Sequence, residues 1–252
     1  KNMKSKYFTV EVKPVMTPVN AGLNAAFADG DVLFDWTSFQ VPRGNSKLIG
    51  VTAEIRPKGD AGSTPNKFPF ELLFAKTKSL SAPSTLGALN AAPAASAVLS
   101  TQADRFLGTM PIVAGDFADA DQMAYASADA PNGMVLEGEP NSGDTVGTDT
   151  LYIAGIAGGA LDFRSGCLID DGDLDGPTMT VKTIDPRLFI LPGDTVAVAT
   201  TADPTATKAM GVVSSLASTS IVLTEAFTTA DVVNEDIVYN TSPIKLLLHF
   251  EK

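Results

Sequence analysis

The chain has 252 residues, 44% of them hydrophobic, and a formal net charge of −11 at pH 7. This length suits one large β domain or two small domains with a real core, and the apolar content excludes a disordered chain. The negative charge argues against nucleic-acid binding, which needs cations against phosphates. No run approaches the roughly 18 apolar residues of a membrane-spanning helix. We therefore expect neither a nucleic acid nor a membrane as partner.

Strand signals dominate the first part of the chain. Period-two alternation or aromatic enrichment, bounded by turn clusters, predicts strands at residues 7–12, 32–39, 48–56, 68–74 and 151–156. Turn-separated strands at this spacing favour an all-β fold whose body is an antiparallel β-sandwich or jelly roll. We assign this body to residues 1–165 plus 241–252.

The middle of the body, residues 77–150, has a different composition. It is rich in Ala, Gly, Ser and Thr, with few aromatic side chains. We expect a long irregular excursion that becomes ordered against a neighbouring chain and supplies intersubunit contacts. The alternative is an excursion that stays mobile on the surface.

A second organised unit is predicted at residues 166–240. Short apolar runs indicate strands at residues 178–181, 188–191, 195–199, 211–215, 220–224 and 236–239. Their number and spacing favour a small five- or six-stranded β-barrel. A further strand at 244–251 follows Pro243, and we expect it to return to the first sheet beside residues 7–13. The barrel would then be an insertion whose two ends lie close together.

The rarest side chains restrict the chemistry. The chain has one cysteine, Cys167, and one histidine, His249, so an intrachain disulfide and a multi-histidine metal site are both excluded. The two could still meet as a nucleophile and its base. However, Cys167 lies in an apolar run and is interpreted as a small buried hydrophobic residue, and His249 lies on one face of a predicted strand. We therefore expect no catalytic residue, no cofactor and no enzymatic turnover.

An acidic loop is the sharpest local motif. Asp171, Asp173, Asp175 and Gly176 match positions 1, 3, 5 and 6 of a calcium-binding loop. Position 12 is Lys182 instead of a bidentate glutamate, and this excludes an EF-hand. We assign no metal site, and Asp171, Asp173 and Asp175 remain candidates for a looser Ca²⁺ or Mg²⁺ site. The other interpretation is an acidic turn between domains.

A second carboxylate group suggests sugar chemistry. Asp29, Asp31 and Asp35 precede Trp36, and paired carboxylates beside an aromatic ring suit a glycosidase. Trp36 is the only tryptophan, whereas sugar clefts usually hold several aromatic rings. We expect Trp36 to pack in the sandwich. A carbohydrate-binding or carbohydrate-hydrolysing β-sandwich remains an alternative.

Charge is distributed unevenly along the chain. The first 80 residues carry 11 basic and 7 acidic side chains, a net charge of +4, and the remainder carries −15. This asymmetry favours one basic and one acidic surface. The basic surface would suit docking onto an acidic protein lattice. Alternatively, the acidic part only keeps the protein in solution.

The predicted barrel carries a resemblance. The segments at 191–196, 210–215, 220–224 and 236–239 resemble the pattern Gly-Asp-x-Val, Gly-x-Val, x-Ile-x-Leu, Gly-Asp-x-Ile of small barrels in tailed-bacteriophage structural proteins. One departure is that Glu235-Asp236 replaces the second Gly-Asp. The pattern covers about a fifth of the chain.

The resemblance implies a non-enzymatic virion protein of the head decoration or cement type, and it assigns no functional residues. Its expected partners are the major capsid protein or other virion proteins, and we expect a homo-oligomer. The protein would be made in the host cytoplasm and function in the virion. A tail, baseplate or fibre-associated protein is the alternative within this class.

Overall fold

The computed structural model describes residues 6–16, 23–42, 45–79, 81–94, 105–139, 149–170, 176–200, 207–226 and 232–252. In these ranges the fold is all-β, as predicted, with two antiparallel sheets and a closed barrel. The sheets are built from β1 (Tyr7–Val12), β2 (Val32–Gln40), β3 (Ser46–Ile55), β4 (Phe70–Lys76), β5 (Phe106–Ile112), β6 (Phe117–Ala120), β7 (Met123–Leu136), β8 (Thr150–Ala157) and β15 (Ile244–Glu251). The barrel is built from β9 (Leu168–Ile169), β10 (Thr178–Lys182), β11 (Thr195–Ala199), β12 (Thr207–Ala217), β13 (Ser220–Leu223) and β14 (Ile237–Asn240). None of the described residues forms a helix long and apolar enough to cross a bilayer.

The sandwich has a five-stranded sheet in the order β1-β15-β3-β7-β6 and a four-stranded sheet in the order β2-β8-β4-β5. Burial alternates strictly along β15, where Leu246, Leu248 and Phe250 point into the core. Across the core, the ring of Phe39 from β2 lies 6.3 Å from that of Phe250. The period-two pattern of these strands therefore separates a core face from a solvent face.

The first and last strands pair, as predicted. β1 and β15 are antiparallel in an unbroken register from Tyr7 opposite Glu251 to Val12 opposite Leu246. β15 then pairs on its other side with β3. Because β9 to β14 lie between β8 and β15 in sequence, the barrel is inserted into the sandwich. Whether residues 1–165 plus 241–252 and residues 166–240 are separate domains stays a prediction.

The barrel closes in the order β10-β13-β12-β11-β14-β9. Its interior is a separate apolar cluster that includes Ile169, Met179, Val196, Ile221 and Val238. The alternating apolar residues of the short strands therefore fill one small core, which is why runs of only four or five residues form stable strands here.

The strand predicted at residues 188–191 is wrong. The chain instead forms a 3₁₀ turn at Pro186–Leu188, and the Asp185 carboxylate accepts a hydrogen bond from the Arg187 N–H at 3.0 Å. An N-terminal cap followed at once by proline favours a helical turn. The apolar side chains of Phe189 and Ile190 follow this turn and are buried in the barrel core.

The prediction of an irregular excursion over residues 77–150 is wrong for residues 106–136. This part contains β5, β6 and the 14-residue β7, which lies inside the five-stranded sheet between β3 and β6. The inward positions of β7 include Ala124 and Ala126, both fully buried. Because alanine has a small apolar side chain, the alternation of inward and outward residues along β7 is weak in the sequence, and the strand was not predicted. Residues 95–104 and 140–148 lie outside the described residues.

Another part of that segment, residues 81–94, covers the outer face of the four-stranded sheet. Leu86 is fully buried there against Val32 and Ala154 in a small cluster that includes half-buried Trp36. The Trp36 ring meets that of Phe106 edge-on at 5.8 Å. Trp36 thus packs on the sandwich, as predicted, but on its outer face. Residues 81–94 therefore pack against their own chain. The expected contacts of the wider segment with a neighbouring chain stay a prediction.

Candidate docking site

A groove opens at one end of the four-stranded sheet, where four separate segments meet. Phe70, the first residue of β4, lies opposite Ile112 at the end of β5 and opposite Ala157 at the end of β8. The turn before β2 adds the fourth wall through a hydrogen bond from the Gly30 N–H to the Ala157 carbonyl, at 2.8 Å. The groove has a volume of about 390 Å³.

The turn at residues 28–31 depends on one glycine and one carboxylate. Gly30 has a φ of +87°, in the left-handed region that favours glycine. The Asp31 carboxylate accepts a hydrogen bond from the Ala28 N–H at 2.7 Å, which closes the turn. Asp29 is thereby held at the tip of the turn, on the wall of the groove.

The groove combines an apolar surface with two carboxylates. Apolar lining is contributed by Pro69, Pro111, Ile112, Val113 and Ile156. Val113 is 49% exposed, so about half of its apolar surface is open to a partner. Asp29 and Glu71 are exposed on the same lining, which in the described chain includes no basic side chain. Such a groove favours an apolar group that has a positive charge beside it.

The three aspartates that suggested sugar chemistry have different contacts in the structure, and they do not form one site. Asp31 is engaged in its own turn, and the Asp35 carboxylate accepts a hydrogen bond from the Leu86 N–H at 2.9 Å, which holds residues 81–94 on the sheet. Only Asp29 lines the groove. Phe70, the one aromatic residue of the lining, is 2% exposed and offers no ring surface for a sugar.

Cys167 and His249 are not brought together. Cys167 is fully buried in the barrel core, and burial, with a smaller contribution from Asp185, raises the pKa of its thiol to about 12. His249 lies in the five-stranded sheet, where Thr9 and Thr52 bind its two ring nitrogens at 3.2 and 3.1 Å. Each residue therefore has a separate structural environment, and the proposed nucleophile–base pair does not form.

Lysines and carboxylates alternate on the outer face of the five-stranded sheet. The Lys6 ammonium pairs with Glu251, which also lies 4.0 Å from the Lys47 ammonium. The Lys245 ammonium lies 2.6 Å from the Glu54 carboxylate. The expected basic surface does not form on this face, because carboxylates of neighbouring strands lie beside its lysines.

A buried ion pair connects the sandwich to the barrel. Arg56, just after β3, donates to the two carboxylate oxygens of Asp194 at 2.8 and 2.9 Å. Arg56 is 4% exposed and Asp194 is fully buried. Asp194 also accepts hydrogen bonds from the Leu191 N–H at 2.9 Å and the Asn240 amide at 3.0 Å. These donors satisfy the buried carboxylate, as burial of a charge requires.

A second set of hydrogen bonds holds the segment between β8 and β9 close to Arg56. The Asn66 amide donates to the carbonyls of Arg56 and Asp162 at 2.9 Å, and its oxygen accepts from the Asp162 N–H at 2.8 Å. The Ser63 hydroxyl donates to the Leu188 carbonyl at 2.7 Å. With the buried ion pair, these bonds hold the barrel on the end of the sandwich.

The candidate metal ligands Asp171, Asp173 and Asp175 lie outside the described residues. Elsewhere, in the ranges that the structure covers, no group of three or more His, Cys, Asp or Glu side chains could hold a metal ion. The groove was missed by sequence reasoning because Glu71 and Val113 lie in unrelated segments, and only the pairing of β4 brings them to Asp29. No protein-family model, curated protein or solved structure matches the chain.

Proposed function

We propose that this protein is a structural component of a tailed-bacteriophage particle, of the capsid decoration type. It binds the assembled capsid through protein–protein contacts and performs no catalysis. Because it binds the lattice and not the separated subunits, mass action stabilises the assembled state. Many copies act together on a repeating surface, so each contact can be weak.

The observation that carries the proposal is the barrel. The segments that resemble phage structural proteins lie in β11, β12, β13 and β14, four strands of one closed barrel. Gly193 has a φ of +86° in the turn before β11, which the Gly-Asp of the pattern accommodates. The resemblance therefore coincides with one structural unit. This supports the proposal at the level of architecture.

The groove is the proposed docking site. We assign to it an apolar side chain of the capsid surface with a neighbouring lysine or arginine. The apolar residue contacts the strip at Pro111 and Val113, and the cation lies between Asp29 and Glu71. The net charge of −11 also favours a partner surface that is locally basic.

The buried junction supports a structural role. A decoration protein transmits load only if its parts move together, and the Arg56–Asp194 pair fixes the barrel against the sandwich. The positions of Cys167 and His249 agree with this role, since the thiol is buried in the barrel core, the imidazole lies in the five-stranded sheet, and the two do not form a pair.

The test is binding to particles that lack the protein. Purified protein is mixed with particles from a phage whose copy of this gene is deleted, and bound protein is measured after sedimentation. We expect saturable binding that the double substitution Asp29→Lys and Glu71→Lys reduces at least about tenfold, because two attractions become repulsions. Glu225→Lys, at an exposed residue of the barrel, is the matched control and should bind normally.

Two outcomes would contradict this proposal. If the protein fails to bind capsids but binds isolated tails, it belongs to the tail, baseplate or fibre. If it binds neither and is retained by a glycan array through the groove, the carbohydrate-binding alternative is correct.

A further inference from the structure

The two sheets of the sandwich have four edge strands, and one of these strands differs from the other three. β1 and β6 are the edges of the five-stranded sheet, and β2 and β5 are those of the four-stranded sheet. An edge strand presents unpaired backbone groups, which proteins usually protect by shortness, proline or an irregular register.

Three of these edges carry such protection. β6 has four residues. β2 shifts its register against β8 twice, next to Phe34. β5 contains Pro111, which lacks a backbone N–H, and its register against β4 shifts once. β1, by contrast, pairs with β15 over six residues without a shift or a proline. It is the most regular edge of the described sandwich.

The backbone groups of β1 that face away from β15 can be assigned from the hydrogen-bond pattern. The Lys252 N–H donates to the Lys6 carbonyl at 2.8 Å, so these two residues form a hydrogen-bonded pair. Hydrogen-bonded and non-hydrogen-bonded pairs alternate in an antiparallel ladder. The backbone groups of Thr9 and Glu11 therefore point away from β15, to the side of β1 on which the described chain has no further strand.

The side chains of β1 suit a partner on that side. Phe8 and Val10 face the core but are only partly buried, since no strand of the described chain lies beyond β1. Tyr7 is 57% exposed. The flanking lysines do not block the edge, because Lys6 pairs with Glu251 and the Lys13 ammonium lies 3.7 Å from the Glu11 carboxylate.

We propose that β1 pairs with β1 of a second copy of this chain, antiparallel and centred on Thr9. The two five-stranded sheets become one ten-stranded sheet across a twofold axis, which is the usual symmetry of a homodimer. This inference specifies the partner and the interface of an oligomer, and it does not depend on binding to a capsid.

The register follows from the assigned edge. With Thr9 opposite Thr9 of the second copy, the backbone groups of the two Thr9 residues face each other across the seam, and Tyr7 lies opposite Glu11. Phe8 then lies opposite Val10 of the second copy, and each covers the apolar surface that the other leaves partly exposed. The hydrogen-bonded row of Thr9, His249 and Thr52 continues into the same row of the second copy.

The test is the dimer dissociation constant of the purified full chain, measured by sedimentation equilibrium. Thr9→Pro removes the N–H that points to the seam and keeps those that bond to β15. Thr9→Val is the matched control, since it also loses the hydroxyl bonded to His249 but retains the N–H. We expect the wild type and Thr9→Val to dimerise, and Thr9→Pro to dissociate at least about tenfold more readily, because both symmetric Thr9 donors are lost.

A second measurement covers the case in which Thr9→Pro misfolds, which circular dichroism would detect. In the wild type, the exchange of the Thr9 and Glu11 amide hydrogens should slow as protein concentration rises through the dissociation constant. A monomer at all concentrations, a dimer unaffected by Thr9→Pro, or equal exchange of these amides in monomer and dimer would overturn the proposal. None of these results depends on capsid binding, so each failure is distinct from failure of the proposed function.

Discussion

Arg56 and Asp194 form a two-pronged ion pair across the boundary between the sandwich and the barrel, with nitrogen–oxygen distances of 2.8 and 2.9 Å. The two residues are 138 positions apart in sequence. Both are buried, and Asp194 has two further donors from its own side of the boundary. The pair therefore fixes the orientation of the barrel as well as stabilising it.

Arg56→Met should strongly destabilise the protein. It keeps much of the side-chain volume but leaves the buried Asp194 carboxylate without its cation, which typically costs about 3–5 kcal/mol. Chemical denaturation, followed by fluorescence, measures the free energy of unfolding. Arg187→Met is the control, because its ion pair with Asp185 is exposed, and it should leave the free energy of unfolding unchanged within error.

A double variant distinguishes the cost of an unpaired buried charge from the cost of lost packing. Adding Asp194→Leu to Arg56→Met removes the stranded charge and should recover part of the lost stability. If the double variant is as unstable as the sum of the two single variants, the residues do not interact as described.

Asp162→Asn should lose stability in a pH-dependent way. Burial raises the pKa of the Asp162 carboxyl, but hydrogen bonds from Arg164 and Lys58 outweigh this and place the pKa below the ordinary value of 3.8. Since the folded-state pKa is the lower one, the carboxylate stabilises the folded state above about pH 4, and the contribution is lost as the pH falls through the folded-state pKa.

We therefore expect Asp162→Asn to be less stable than the wild type by about 1.5 kcal/mol at pH 7, with the difference shrinking towards pH 2. Urea unfolding at both pH values measures it. Asp29→Asn, at an exposed carboxylate, is the control. A difference that grows on acidification would mean that the sign of the pKa shift is wrong.

The Cys167 thiol should be inert in the folded protein. Burial, with a smaller contribution from Asp185, raises its pKa to about 12, so almost no thiolate is present at pH 8. A chromogenic disulfide reagent should label it slowly in buffer, through local opening, and completely in denaturant. Rapid stoichiometric labelling of the native protein would show that the thiol is accessible.

Gly155→Ala should destabilise the sandwich. An added Cβ would lie 2.3 Å from an edge carbon of the buried Phe34 ring, which must then shift in a packed core. Overpacking of this kind costs about 1–3 kcal/mol. Gly115→Ala, where a Cβ meets nothing within 4 Å, is the matched control for thermal unfolding. Equal melting temperatures for the two variants would refute the close contact.

Sequence patterns predicted much of this fold because large apolar side chains alternate in its outer strands. β1, β11 and β15 have the bounds that the patterns indicated, since their inward residues are mostly valine, leucine and phenylalanine. β7 was missed because most of its buried residues are alanines, and their burial depends on neighbouring strands. The turn at Pro186 was missed because the apolar run at residues 188–191 was interpreted as a strand, and the helix-capping signal of Asp185 before Pro186 was not used.

The groove could not be predicted because its geometry is non-local. Asp29 was singled out with the wrong companions, Asp31 and Asp35, which are near in sequence but engaged in backbone hydrogen bonds. Glu71, its companion on the groove, is placed there by the pairing of β4 with β8. Strand register between distant segments decides such a site, and no local pattern specifies that register.

The most direct test of the proposed function is the copy number of this protein in purified particles of the tailed phage that the proposal takes as its source. Quantitative mass spectrometry of gradient-purified particles gives its ratio to the major capsid protein. A decoration protein that binds every capsid unit predicts a fixed small-integer ratio, and electron microscopy should show it as repeated density on the capsid. Its absence from the particles would contradict the account.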